Sequence, residues 1–295
     1  GQTTADLINV SGATSVGSQG SSQNVTLNNI QGLTGLSLAN NSAGNATFTN
    51  IASAVSGSAD TQALSTTSTT NGTVTVAGVE TLNITNSGTS TIATLTTTAA
   101  TTVGVAGSGD LTLTDVDNVT TAVNASTYTG DLTSGGYGAV NVTYTGGSGA
   151  DTVTFTGLTN DDSLDGGDGT DTLSLTFATN AVATSAAAGD VTVSNFETLN
   201  MNSDANGDTV DFDIFSAPAF NTVRVTGTAS TDDVVLTDTQ SSNFVLRNTD
   251  GQEDFEFLTI DLKTSTATTD AINLTLTNRD VDSAMTVTTL TGAGI

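Results

Sequence analysis

The chain has no cysteine and no histidine, so disulfides, thiolate ligands, thiol nucleophiles and the commonest general base are all excluded. Zinc, copper and haem sites of the usual kinds lose their main ligands with them. Tryptophan is absent and aromatic residues are only 4% of the 295, which argues against a thick core of large side chains. There are four basic residues, Arg224, Arg247, Lys263 and Arg279, and the first 223 residues carry none. Phosphate-backbone binding needs Lys and Arg, so nucleic acid is excluded as a partner and anionic membrane surfaces nearly so. No apolar run of 18 residues is available to span a bilayer, so membrane insertion is not expected. No basic segment followed by an apolar one marks a signal peptide. The abrupt start at Gly1 and stop at Ile295 lead us to expect a processed protein or a piece of a longer one.

What is present points to ordered β structure. About one residue in five is Thr, there is a single Pro, and alternating apolar positions recur from end to end. Thirty acids set against four bases give a net charge of −26, and 26 of the acids are Asp. Asp favours turns and is a good ligand for hard cations. A charge of that size repels itself unless something neutralises it, and divalent cations are the obvious candidate.

A weak internal repeat runs through the chain. One unit reads Val74-Thr75-Val76-Ala77-Gly78-Val79-Glu80-Thr81-Leu82-Asn83-Ile84 and another runs from Val191 to Met201, with Asn195-Phe196-Glu197 at its centre. Looser copies begin at Val25, Leu111 and Phe255. Each is a short alternating strand, a corner, an apolar residue with a polar or acidic neighbour, and a second strand. Gly, Asn, Ser and Asp clusters between them read as turns. Short strands at this spacing, with few large side chains, predict an all-β chain built as a β-solenoid or parallel β-helix. An array of antiparallel β-sandwiches is the alternative. Helix is expected only at 183–188 and at 212–220. The segments anticipated are a strand-rich solenoid over 1–145, calcium-binding turns over 146–174 and a second β-rich segment over 175–295.

The informative stretch is 146–174. Gly146-Gly147-Ser148-Gly149-Ala150-Asp151-Thr152-Val153-Thr154 fits the nonapeptide G-G-x-G-x-D-x-U-x, and Gly166-Gly167-Asp168-Gly169-Thr170-Asp171-Thr172-Leu173-Ser174 fits it again. Gly157 to Asp165 is a degenerate copy with Asn160 in place of a glycine. Glycines make a tight turn with inward carbonyls, the Asp adds a carboxylate, and the apolar residue starts a buried strand. Two nonapeptides make one coil, so copies one and three stack on the same side. That predicts a calcium ion held by Asp151 and Asp171 with turn oxygens, since calcium takes six to eight oxygens. The candidate ligand positions are Gly146, Ser148, Asp151, Gly157, Thr159, Asp162, Gly166, Asp168 and Asp171. A second, weaker loop is Asp204-Ala205-Asn206-Gly207-Asp208, with oxygen ligands at Asp204, Asn206 and Asp208. The corner acids Glu80, Glu197 and Glu256 are expected to cap turn amides instead.

These residues resemble RTX repeats, and the Thr-, Asn- and Gly-rich, Cys-free, acidic strands around them resemble the RTX-type surface-layer proteins of Gram-negative bacteria. That resemblance implies calcium-dependent β-solenoid domains, type I secretion and two-dimensional assembly on the cell surface. No anchoring domain or secretion signal of that family is identified here.

The leading expectation is a non-enzymatic, extracellular structural protein that binds Ca2+ and assembles with copies of itself, with cell-surface polysaccharide as a second partner. A calcium-dependent adhesin or stalk is the alternative, and a solenoid carbohydrate-active enzyme a third. Paired acids exist for the enzyme, but three Tyr and no Trp supply a sugar cleft poorly. Ten Asn-x-Ser/Thr sequons, among them Asn24, Asn83 and Asn141, are what so Asn- and Thr-rich a chain generates by chance. Thr-x-Thr runs such as 94–98 look too irregular for the flat ladder of an ice-binding solenoid.

Overall fold

The computed structural model describes residues 2–117, 119–137, 140–176, 191–203, 208–216, 220–227, 233–239, 243–248, 257–262, 273–278 and 290–293. The chain divides into two compact units, Gly1–Val153 with Gly167–Gly169, and Thr154–Gly166 with Thr170–Ile295. The division falls inside the 146–174 segment, not at either end of it.

In the first unit the strands are β1 (Gln2–Asp6), β2 (Ser15–Gln19), β3 (Asn24–Ile30), β4 (Gly35–Ala39), β5 (Ala46–Asn50), β6 (Thr61–Thr67), β7 (Thr70–Val76), β8 (Thr81–Ser87), β9 (Ser90–Thr96), β10 (Thr102–Ser108), β11 (Leu111–Val116), β12 (Ala122–Tyr128), β13 (Leu132–Tyr137) and β14 (Thr143–Thr145). Odd-numbered strands form one sheet and even-numbered strands another, each strand beside the one two places on. Every registered pairing is parallel, as in Thr61↔Thr81, Thr81↔Thr102 and Thr102↔Ala122. This is a β-solenoid with two strands per coil; the parallel pairing rules out antiparallel sandwiches.

The second unit follows the same plan with coils that are mostly longer and more varied in length, as the pairings Ser163↔Thr192 and Leu258↔Leu290 show. After β15 (Thr152–Phe155), within which the division falls, come β16 (Ser163–Asp165), β17 (Thr172–Thr176), β18 (Thr192–Ser194), β19 (Thr198–Ser203), β20 (Asp208–Asp211), β21 (Thr222–Gly227), β22 (Asp233–Thr239), β23 (Asn243–Asn248), β24 (Phe257–Leu262), β25 (Asn273–Asn278) and β26 (Leu290–Ala293). Here β17-β19-β21-β23-β25 are neighbours in one sheet, β16 pairs β18, and β20-β22-β24-β26 form a separate four-stranded sheet. All the registered pairings are again parallel.

Alternation of side chains decides what lies inside. Leu36, Leu64, Ile84 and Val105 stand one above the other on β4, β6, β8 and β10, all of them buried. On the other wall Ala46, Val74, Leu95 and Val116 do the same. A narrow stack of mid-sized aliphatics is what a chain with few aromatics can fill. The repeated corner unit is explained by backbone geometry: Asn29, Gly78 and Asn195 take the left-handed conformation (φ 56°, 82° and 56°). The apolar residue after each one, Ile30, Val79 and Phe196, turns into the core.

Coil length varies because loops are inserted at corners, one of them carrying the short 3₁₀ turn Ala52–Ala54. Such insertions scatter the Thr-x-Thr runs in sequence without disturbing the ladder. On the outer face of the odd sheet Thr4, Thr26, Thr47, Thr75 and Thr96 fall in one column, and Thr70, Thr91, Thr112 and Thr133 in another. The runs are therefore more regular in space than in sequence, although the column holding Thr73 and Thr94 continues to Asp115. Helix among the described residues is confined to 3₁₀ turns, including Phe212–Ile214 inside the expected 212–220 segment. The other expected helix, 183–188, lies outside the described residues. No helix among them is long and apolar enough to cross a membrane.

The stacking makes a sharp claim about one glycine. A Cβ on Gly130 would run into the carbonyl oxygen of Gly109, one coil away, whereas a Cβ on Gly157 would meet nothing. Gly130→Ala should cost about 1–3 kcal/mol, as overpacking does, and lower the melting temperature by several degrees. Gly157→Ala should leave it within about a degree, since its added methyl is unopposed. Calorimetric melting of the two variants against the parent checks this.

Candidate metal centre

The corner joining the even sheet to the odd sheet can be followed down the first unit from β8. It reads Asn86-Ser87-Gly88, then Gly107-Ser108-Gly109-Asp110, then Tyr128-Thr129-Gly130-Asp131, then Gly147-Ser148-Gly149-Ala150-Asp151. A Cβ on Gly107 would meet the oxygen of Asn86, one on Gly147 that of Tyr128, and one on Gly167 that of Gly147. Asn86, Gly107, Tyr128, Gly147 and Gly167 therefore occupy one column. The glycine turns of the first and third nonapeptides meet as expected, and the amide of Asp168 donates to the Gly147 carbonyl at 2.9 Å.

Along the upper part of that column buried side chains serve the turn carbonyls. The Asn86 amide nitrogen lies 2.9 Å from the oxygen of Gly88, 3.2 Å from that of Gly109 and 2.9 Å from the Tyr128 hydroxyl. Thr66 donates to its Oδ1 at 2.8 Å, and the Tyr128 hydroxyl donates to Gly109 O. Burial, together with Asp110, Asp151 and Asp131, pushes the Tyr128 hydroxyl up to about 12 against the hydrogen bond from Asn86, so it stays a donor. Asn86 and Tyr128 were not singled out from sequence. Period-2 alternation in 82–86 does put Asn86 on the inner face, and an inward Asn is the signal that was available.

The nonapeptide aspartates come next. Asp151, Asp162 and Asp171 are each no more than 1% exposed. Asp151 Oδ2 accepts from the Gly147 amide at 2.7 Å and Oδ1 from the Leu132 amide at 2.8 Å. Higher up, the equivalent amides meet backbone: Ser90 donates to Asp110 O at 2.8 Å and Leu111 to Asp131 O at 2.9 Å. The nonapeptide adds Ala150 between glycine and aspartate, and the Asp151 side chain takes over the displaced carbonyl's place. Burial pushes Asp151 above the usual carboxylate range, against the two amide hydrogen bonds, with Asp131 adding to the rise.

Asp162 accepts from Thr159 N at 2.8 Å and from Thr159 Oγ1 at 3.2 Å, at the corner opposite in kind, from odd strand to even. In the second unit, the Asp171 amide donates to Glu197 Oε2 at 2.7 Å, and Asp171 O accepts from Glu197 N and Thr198 N. Glu80 does for Asp60 what Glu197 does for Asp171, taking its amide at 2.7 Å. Both corner glutamates thus cap turn amides, as expected; Glu256 lies outside the described residues.

The remaining predicted positions are placed individually. Gly146 and Gly166 are buried, and Ser148, Gly157 and Asp168 are exposed. Asp204 and Asn206 lie outside the described residues, as does the side chain of Asp208, whose backbone begins β20. Among the described residues no three acidic side chains converge into a cluster able to hold a metal. Acids come about one per corner from Asp60 to Asp151, with two at Asp161-Asp162 and two at Asp168 and Asp171, so an ion beside Asp151 would draw most of its oxygens from turn carbonyls, which suits calcium's large shell. No family model, no curated protein and no solved structure matches the chain.

Because its folded pKa is raised, the native state holds the Asp151 proton more tightly than the unfolded chain does. Its contribution to stability is then present below the ordinary carboxylate pKa and lost as pH rises through the raised one. In chelator, urea unfolding followed upward from the ordinary carboxylate pKa should show the parent losing stability relative to Asp151→Asn, with the two slopes differing by up to one proton equivalent. A slope unchanged by the substitution would contradict this placement.

Proposed function

We propose that the chain is a structural segment of a bacterial surface layer or surface fibre, secreted, stiffened by calcium and assembled from copies of itself. One observation carries the calcium part. In the corner column, Asn86 and Tyr128 aim donors at inward turn carbonyls, but at Gly147 and Gly167 the same column offers no side chain, and the buried Asp151 carboxylate stands beside it. A cation at that level does the work the amide and the phenol do above. The glycine turn of 146–149 and Gly167–Gly169 would supply carbonyl oxygens, and Asp151 the charge. Thr159 and Asp162 belong to the corner of the other kind.

Assembly follows from charge and edges. Residues 1–150 hold seven acids and 151–295 hold 23, with all four bases in the latter part. With one Lys and one Pro in the whole sequence, the usual guards against edge-to-edge pairing are missing. Like-charged copies then associate only where counter-ions bridge or where acids are absent.

Calcium removal should therefore loosen both fold and assembly. Excess chelator should lower the melting temperature and disperse particles seen by sedimentation, and magnesium should restore neither well, because it demands a small octahedral shell. In calorimetric titration Asp151→Asn should weaken calcium binding about tenfold or more, as loss of a ligand charge does. Asp117→Asn, whose native carboxylate caps Thr97 N and Val119 N, should bind as the parent does. Equal affinity in both variants would reduce the glycine turn at Asp151 to a turn alone.

A further inference from the structure

In the first unit the outer face of the even sheet carries no charged side chain. From β2 to β14 its outward positions are Thr, Ser, Asn, Ala, Gly and Gln alone, as in Thr61, Ala63, Ser65 and Thr67 of β6. The acids stand along its borders instead. Asp60, Glu80 and Asp117 lie at the corners that lead into even strands, and Asp110 and Asp131 at the corners that leave them. The odd sheet differs, since Asp115 stands on its outer face. The even face is also shaped: a trough of about 400 Å³ runs along β10, where Gly104 and Ala106 lie between Asn83 and Thr85 on one side and Asn124 on the other.

We propose that this neutral face is where a second copy of the chain docks, sheet against sheet; the inference rests on the calcium-dependent assembly proposed above. Charge selects the partner surface. In a chain of net charge −26, a copy approaching any acidic corner is repelled, and this face is the one broad area of the first unit where repulsion is least. Small side chains in register let two such sheets approach to the usual spacing of about 10 Å, their amides and hydroxyls pairing across the contact. Seven strands about 4.8 Å apart, with three or four outward positions each, give roughly 600 Å² per copy. That lies near the low end of specific interfaces, so a single contact holds weakly and a lattice of them holds well. The acidic borders of facing copies then come into line, where calcium offsets their repulsion.

The test is sedimentation velocity of the whole chain in millimolar calcium across a concentration series. Ser65→Glu, Thr85→Glu and Ser126→Glu together put three charges on the even face. Thr49→Glu, Ala93→Glu and Thr114→Glu put the same charges on the odd face, and circular dichroism melting confirms that both variants fold. The even-face variant should lose at least about tenfold in association, since like charges meet across the contact, and the odd-face variant should keep the parent's. If the parent associates and both variants associate alike, or both lose alike, the docking face is wrong while calcium-dependent assembly stands. If the parent stays monomeric in calcium, assembly and docking face both fall. Should the monomeric parent bind an immobilised neutral polysaccharide and the even-face variant not, a glycan occupies the face and the second copy is excluded.

Discussion

Parallel stacking at one coil per step governs everything else in this molecule. A residue's neighbours are the residues one coil before and after it, 20 to 32 positions away, so each corner and wall position becomes a column whose members must suit one another. Leu36, Leu64 and Ile84 satisfy that with methyls. The corner satisfies it largely with glycines, because a side chain at Gly130 or Gly147 would collide with the carbonyl one coil away. Stability in such an arrangement is close to a sum of nearest-neighbour terms, with no single thick core to defend.

The same constraint creates the polar chemistry. Turns that stack put their carbonyls at intervals along the inside of a corner, and a buried carbonyl needs a donor. In the first unit the answers succeed one another along one line: an amide at Asn86, a phenol at Tyr128, then glycine at Gly147 and Gly167 with a carboxylate close by at Asp151. The nonapeptide is in this sense a local variant of a corner that begins well upstream of it. Its extra residue moves one backbone carbonyl out of the ladder, and Asp151 replaces it.

Much of the architecture was legible in the residues. Alternation in 74–84 and 191–201 located strands and corners, and the scarcity of large side chains separated a solenoid from a sandwich. The caps made by Glu80 and Glu197 followed from an acid placed just after an apolar corner residue. What stayed hidden depended on register between coils. Thr4 and Thr96 share a column that no linear spacing reveals, because the insertion at 51–60 offsets the sequence but not the stack. Asn86 and Tyr128 were overlooked for a related reason: their partners, Gly88, Gly109 and Thr66, meet only once the coils are wound. The neutral even face escaped notice too, since the acids that border it are scattered in sequence and collect only at corners.

Four carboxylate caps between coils point backward, whereas Asp131 points forward and takes the Ala150 amide of the next coil at 2.7 Å. Glu80 reaches back to Asp60, Asp117 to Thr97, Asp151 to Leu132, and in the second unit Glu197 to Asp171, each taking an amide of the coil before its own. Each of those coils is latched by its successor. A chain synthesised from its N-terminus thus completes each of these four latches only as the following coil arrives.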